Sequence, residues 1–215
     1  MTVLVEVVSD VVCPWCFIGT ANLEAALRSR ADVPVDVVFR PFMLDASTPA
    51  AGDDLRARLR AKFGADPEPM FRRVESVARA AGLPLDFEKV RRWPSTLGAH
   101  TILRHVGATS AGHAAQRALA KAFFEAYFLE GSDIGAIEEL VRIAAAHGVS
   151  DADARAWITD PAELEATREA ALAEARRGVR GVPFFVFAGR YAVSGAQPPE
   201  VLAAALDRAR EDAGA

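Results

Sequence analysis

The stretch Ser9-Asp10-Val11-Val12-Cys13-Pro14-Trp15-Cys16 decides the fold, because it joins a strand to a helix and carries both of the chain's cysteines. Upstream of it, Val3 to Val8 is a valine-rich run interrupted only by Glu6, as a half-buried strand requires. Downstream, Phe17 to Arg30 places Leu23, Ala26 and Leu27 at helical spacing. A second short β-branched run, Val35 to Phe39, follows between Pro34 and Pro41. The first forty or so residues therefore predict a β-α-β unit with a cysteine pair at its first strand-to-helix turn.

Two residues separate Cys13 from Cys16, so at a helix start both thiols share one face, a turn apart. Cys13 then sits at the helix N-terminus, where unpaired N–H groups and the macrodipole favour an anion. Cysteines so placed have pKa values lowered to ~3.5–7.5, which makes them nucleophiles near neutral pH and good leaving groups. Cys16, one turn inward, is expected to be buried and protonated, as suits a resolving thiol. Structural zinc needs four ligands; there is no second cysteine pair, and His100, His105, His113 and His147 stand at no spacing that completes a site. No metal is therefore expected. Two inert core cysteines would leave Pro14 and Trp15 between them unexplained, and the strand–turn–helix context favours redox chemistry.

Between Asp45 and Gly178 no strand is predicted. Helical periodicity runs through residues 53–63, 68–81, 95–106, 111–128, 134–147, 152–158 and 162–177. Asp160-Pro161 with Glu163 reads as an N-cap, an N1 proline and a capping-box carboxylate, and Ser150 with Asp153 repeats the N-cap pattern. Gly148 and Gly178 fall where left-handed C-cap residues belong. Strand character returns at Phe184–Phe187, turns at Ala188-Gly189 into Tyr191–Val193, and gives way after Pro198-Pro199 to a last helix, 200–210. The predicted architecture is one α/β domain, residues 1–44 plus 179–215, interrupted by an all-helical insertion at 45–178.

Composition bounds the function. The chain has 215 residues, 51% of them hydrophobic, enough for a sizeable core, and two cysteines cannot staple a scaffold of that size. A formal net charge of −4 argues against nucleic-acid binding, which needs a basic face. Only Lys62, Lys89 and Lys121 among the 25 basic residues are lysines. The N-terminus has no basic n-region or small-residue cleavage site, and no apolar run reaches the ~18 residues of a membrane span. A cytoplasmic protein without membrane contact is expected, and there thiols are normally kept reduced.

The second half of the site is expected at Val182-Pro183, directly before the strand at 184. A proline is tolerated at a strand's first residue, and X–Pro bonds alone take the cis form cheaply. Together these segments resemble the thioredoxin superfamily in its DsbA-like branch with a helical insertion, and within it the cytoplasmic FrnE-type disulfide oxidoreductases. The resemblance rests on residues 9–16 with Gly19, Arg40-Pro41-Phe42, Ala99-His100, residues 124–128 with Glu130-Gly131, Asp133-Ile134, Gly181-Val182-Pro183-Phe184-Phe185-Val186 and Ser194-Gly195-Ala196-Gln197.

The resemblance implies a thioredoxin-like fold and dithiol–disulfide exchange with a thiol- or disulfide-bearing substrate. Cys13 would attack, Cys16 resolve, Pro14 and Trp15 tune the redox potential, and Pro183 would be the cis-proline facing the pair. Val182 would offer backbone groups to an extended substrate. His100 matches a histidine of the insertion, although Ser95 replaces the asparagine that opens the family's pattern there. It is either a site residue or a helix-embedded histidine with a polar neighbour. Asp10 is either a site residue or, as the simpler reading, an N-cap of the turn or of the active-site helix. Trp15 is expected on the peptide-facing surface, Trp93 and Trp157 in the core, and the Phe123-Phe124-Tyr127-Phe128 cluster in packing. FrnE-like proteins with a C-terminal extension carry a second cysteine pair there; this chain has none, so any isomerase activity would come from Cys13 and Cys16. No metal or organic cofactor is implied, with glutathione as the one candidate co-substrate. Two other readings stand beside this one. Kappa-class glutathione transferases and 2-hydroxychromene-2-carboxylate isomerases share the architecture, with serine in place of Cys13. A non-catalytic redox-sensing or peptide-binding module would use the same Pro183 groove.

Overall fold

A computed structural model describes residues 2–213 of the chain. Strand β1 (Val3–Ser9) leads through the cysteine turn into α1 (Pro14–Arg28) and back into β2 (Val35–Pro41), which pairs in parallel with β1 from Val3↔Val35 to Ser9↔Pro41. After the helical block come β5 (Phe184–Phe187), antiparallel to β1, and β6 (Tyr191–Ser194), antiparallel to β5. The sheet order is β2-β1-β5-β6, closed by α9 (Pro199–Ala213), which packs against α1 and β1. The three-residue β5–β6 connection has Ala188 at φ 50° and Gly189 at φ 66°, and the Arg190 N–H closes it by donating to the Phe187 carbonyl at 3.0 Å. The central strand is buried on both faces: Val3, Val5 and Val7 enter the core, and on the other face Val8 is buried and Glu6 is held by Arg40 and Arg177. The β-α-β … β-β-α order is the thioredoxin-like architecture that the sequence predicts, with helices inserted between β2 and β5.

That block contains α2 (Leu55–Phe63), α3 (Glu68–Ala80), α4 (Leu97–Val106), α5 (His113–Glu125), α6 (Ile137–Ala145), α7 (Asp151–Thr159) and α8 (Pro161–Arg176). Helices α4, α5 and α8 lie against β2, and a single apolar core runs through both segments of the chain. Among the described residues no helix is long and apolar enough to cross a membrane.

The structure corrects the sequence reading at several points. The 45–178 block does contain strand: β3 (Asp53–Asp54) pairs antiparallel with β4 (Arg92–Trp93). Two-residue strands leave no periodicity to read. Asp53 is thereby taken out of α2, and Asp54 caps that helix by accepting the Ala57 N–H at 2.8 Å. The predicted 111–128 helix divides into a 3₁₀ turn at 110–112, α5, and a π-helical turn, 126–130, that ends on Gly131 at φ 75°. A Cβ at Gly131 would stand 2.4 Å from the Lys89 carbonyl oxygen, so close approach as well as angle demands glycine. Ser150 and Asp160 cap α7 and α8 as predicted, but Glu163 does not close a capping box. It turns instead to Arg104 and to His105, whose Nε2 lies 2.9 Å from its carboxylate. Trp93 is core, whereas Trp157 is only partly buried and stacks on the His105 ring at 4.3 Å.

Candidate active site

β1 ends at Ser9, and the turn that follows is closed by the Cys13 N–H donating to the Asp10 carbonyl at 3.0 Å. Cys13 occupies the N-cap of α1 with extended backbone (φ −87°, ψ 113°), and no side chain caps that helix end. Pro14 takes N1, where its missing N–H costs nothing. The Cys13 carbonyl accepts the N–H groups of Cys16 (3.0 Å) and Phe17 (3.2 Å), which starts the helix and sets Cys16 one turn behind. Both thiols are free; Cys16 is fully buried and Cys13 is 3% exposed.

The loop at 182 closes over this turn from the other half of the chain. The Val182–Pro183 peptide is cis. The Cys13 thiol points at the Val182 carbonyl oxygen, with sulfur and oxygen 3.7 Å apart. The Pro183 carbonyl accepts the Gly195 N–H at 2.8 Å, tying the loop to the end of β6. Gly19, one turn beyond Cys16, lets α1 approach: a Cβ there would lie 2.8 Å from Pro183 Cγ and 3.2 Å from Phe185 Cζ. Gly19→Ala is expected to cost about 1–3 kcal/mol by overpacking and to lower turnover by moving the 182–183 loop off Cys13. Denaturant midpoints and disulfide-reduction rates check this, and wild-type values for both would show that the loop yields.

Burial pushes the Cys16 thiol well above the ordinary thiol range, and the neighbouring Cys13 side chain adds to the rise. A main-chain hydrogen bond from Asp10 and the nearby Ser9 hydroxyl oppose it without reversing it. Ser9 Oγ is buried and has no partner within hydrogen-bond geometry. An unfolded thiol ionises near pH ~8.5, so above that pH the folded dithiol holds the extra proton. Stability of the reduced protein should thus fall with rising pH from there up to the folded pKa, by up to ~1.4 kcal/mol per pH unit from this group. Denaturation at stepped alkaline pH measures the slope, and Cys16→Ala should flatten it.

Asp10 is not a helix cap, which corrects the sequence reading. Its carboxylate accepts the Leu44 N–H at 2.8 Å and contacts His100 Nε2 at 3.1 Å, and both side chains are buried. The extended N-cap residue is Cys13, and Asp10 lies one turn too early to reach the first helical N–H groups. His100, on α4, is therefore joined to the cysteine turn through Asp10 rather than set beside the sulfurs. Tyr127 donates to the Arg92 carbonyl at 2.8 Å; burial, with Asp10 and Asp133 nearby, raises its pKa and keeps it neutral.

The Phe123–Phe128 cluster packs as expected, with Phe17 stacked on Phe124 and Phe128 at 5.6 Å. Tyr127 and Phe128 have a second face, however, on a cleft of about 270 Å³ that Cys13, Pro14, Trp15 and Val182 also line. Trp15 is half-buried on that wall. The cleft's outer residues, Lys62, Phe63 and Met70, come from α2 and α3 and were not singled out by sequence. Nor was Gln116, whose buried amide accepts the Phe39 N–H (2.8 Å) and donates to the Phe39 and Leu103 carbonyls (3.0 Å each). Among the described residues, no group of three or more His, Cys, Asp or Glu side chains gathers as a metal ligand set.

A four-stranded thioredoxin-like sheet, a Cys-x-x-Cys helix start and a facing proline loop define a thioredoxin-fold protein with a candidate redox site. The chain belongs to the family of DSBA-like thioredoxin domains, whose model matches residues 4–207. It is similar to a probable DsbA oxidoreductase from Streptomyces coelicolor, with 32% identity, a TM-score of 0.85, and coverage of 97% of this chain and 90% of that one. It is 26% identical to the protein YwbO of Bacillus subtilis, over 96% of each chain. The fold alone is shared with the cytosolic disulfide reductase DsbM of Pseudomonas aeruginosa, solved with GSH: 19% identity, TM-score 0.66, and coverage of 97% of this chain and 99% of that one.

Proposed function

We propose that the protein is a thiol–disulfide oxidoreductase in which Cys13 attacks and Cys16 resolves. One observation carries this reading: Cys13 caps a helix start, recessed but facing the cleft and the Val182 carbonyl, while Cys16 stands fully buried one turn behind it. The Cys13 thiolate attacks one sulfur of a substrate disulfide, forming a mixed disulfide and expelling the other sulfur as a thiolate. Cys16 loses its proton and attacks Cys13 Sγ; the second substrate thiolate leaves and the Cys13–Cys16 disulfide closes. Two electrons have passed from the dithiol to the substrate, and an external dithiol or two molecules of a monothiol such as glutathione return them.

Pro14 and Trp15 set the polarity around the Cys13 sulfur, and the backbone carbonyl and N–H of Val182 hold a substrate segment by strand-like pairing. The chemistry needs no metal or organic cofactor, with glutathione entering only as a co-substrate. The reading places the protein in the cytoplasm, in the FrnE-type subgroup, acting on disulfide- or thiol-bearing substrates rather than on nucleic acid or membranes. Residues 1–44 plus 179–215 would form the redox domain and 45–178 the insertion that covers it.

The Cys13→Ser protein tests the assignment in an insulin-reduction assay. Turnover is expected to fall to background, and retained turnover would sink it.

A further inference from the structure

Thiol exchange by itself makes no use of the cleft beside Cys13. Its volume, about 270 Å³, lies just under the ~300–1,000 Å³ of small-molecule sites, so it suits one ring system rather than a length of polypeptide. Cys13 is only 3% exposed and lines this cleft, so a reactant that meets its sulfur occupies the space beside it. The lining is aromatic on its inner wall (Phe71, Phe87, Trp93), and its outer residues leave apolar surface open: Phe63 is 61% exposed and Met70 38%.

Among the described residues that line the cleft, the one cation is Lys62. Lys62, in the last turn of α2, places Nζ 5.8 Å from the Trp93 ring centroid and 5.9 Å from that of Phe63. Its ammonium, with three protons to donate, is given one acceptor, the Leu44 carbonyl at 3.3 Å. Asp45, next along the chain from Leu44, is held by Arg58 at 2.7 Å, and among the described residues Lys62 makes no ion pair. Lys62 is thus an unpaired cation at the edge of an apolar, ring-sized cleft.

We propose that the cleft binds the ring and carboxylate of a small aromatic thiol or its disulfide. The ring lies against Phe63, Met70 and Trp93, the carboxylate pairs with Lys62, and the sulfur is presented to Cys13. This deepens the exchange reading above and rests on it. Cys13 Sγ bonds to one aryl sulfur as the aryl S–S bond breaks and an aryl thiolate leaves with the electron pair. Cys16 then expels the second aryl thiolate and closes the Cys13–Cys16 disulfide.

The test compares three disulfides against the reduced full chain, with rate constants read by acid quench and the mass of the oxidised chain. Dithiobis(nitrobenzoate) has ring and carboxylate, dithiodipyridine has a ring without charge, and dithiodiglycolate has carboxylate without a ring. Lys62→Gln is expected to lower the rate ratio of dithiobis(nitrobenzoate) to dithiodipyridine about tenfold, the size of one charge-assisted contact. Lys62→Arg should restore most of the ratio. Phe63→Ala should lower the ratio of either aryl probe to dithiodiglycolate.

If Lys62→Gln slows dithiodiglycolate as much as dithiobis(nitrobenzoate), Lys62 merely steers anions and the ring site is overturned. An unchanged ratio overturns it as well. A disulfide-linked peptide with Phe and Asp beside its cysteine that outpaces the aryl probe and shows the same Lys62 dependence would overturn the small-molecule assignment. Failure of every probe to oxidise the wild-type dithiol to the Cys13–Cys16 disulfide would instead bring down the exchange reading itself.

Discussion

Replacing Cys16 with alanine is expected to leave a protein that reacts once and stops. Cys13 keeps its N-cap position, its turn bond to Asp10 and its place on the cleft, because none of these uses the Cys16 sulfur. It can therefore still form the mixed disulfide. What disappears is a resolving sulfur held one helical turn away, whose effective concentration far exceeds that of any free thiol. Well-oriented intramolecular groups reach effective molarities of ~10⁵ M and more, so a free thiol in the millimolar range should leave turnover down by at least roughly 10³-fold. Mass spectrometry of Cys16→Ala after one addition of substrate disulfide should show a stoichiometric adduct on Cys13, cleared only by added dithiol. The deletion is well tolerated sterically, since sulfur to hydrogen in a buried site opens a small void, and the loss should not come from unfolding. An adduct that clears at the wild-type rate without added thiol would mean that another group resolves it, and the division of roles between the cysteines would be wrong.

The parts of this site that were legible in the sequence are those written into adjacent residues. A strand, a Cys-x-x-Cys turn and a helix start are covalently consecutive, so residues 9–16 specify their own geometry. The pairing of that turn with the loop at 182 spans 169 residues, and only a family resemblance joined the two in advance. Asp10 shows the limit of local reading. An acidic residue just before a helix is a good N-cap candidate, yet here the bonds that its carboxylate makes run to Leu44 and to His100, 34 and 90 residues away. Gln116 did leave a signal: it shares a helical face with Leu119, Ala120 and Phe123, all buried, and a polar side chain on such a face must find partners. Lys62 left almost none. In the sequence it is one of several cations on a polar helix, and its position among rings follows from how α2 packs beside β4.

Breaking the Asp10–His100 contact is the largest stability change expected away from the apolar core. Asp10 is 1% exposed and His100 3%, so neither can exchange its lost partner for water. His100→Ala leaves a buried carboxylate with the Leu44 N–H alone, and Asp10→Ala strands both that N–H and the imidazole. Leaving a buried hydrogen-bonding group without its partner costs about 1–3 kcal/mol, more than the bond itself contributes, because the remaining group stays desolvated. The double replacement should accordingly cost less than the sum of the singles, by about 0.5–3 kcal/mol of coupling. His100→Gln, which keeps a donor, should recover part of the loss. A second readout separates simple packing from control of the cysteine turn. Asp10 also holds the turn through its backbone, whose carbonyl accepts the Cys13 N–H. A side chain that anchors this backbone to α4 and Leu44 should, when removed, shift the Cys13–Cys16 equilibrium in a glutathione buffer as well as the denaturant midpoint. If the midpoint falls while the thiol–disulfide equilibrium stays at its wild-type position, the pair only fastens α4 to the sheet. If both move together, and move back together in His100→Gln, the buried contact is what holds the redox turn in its working geometry.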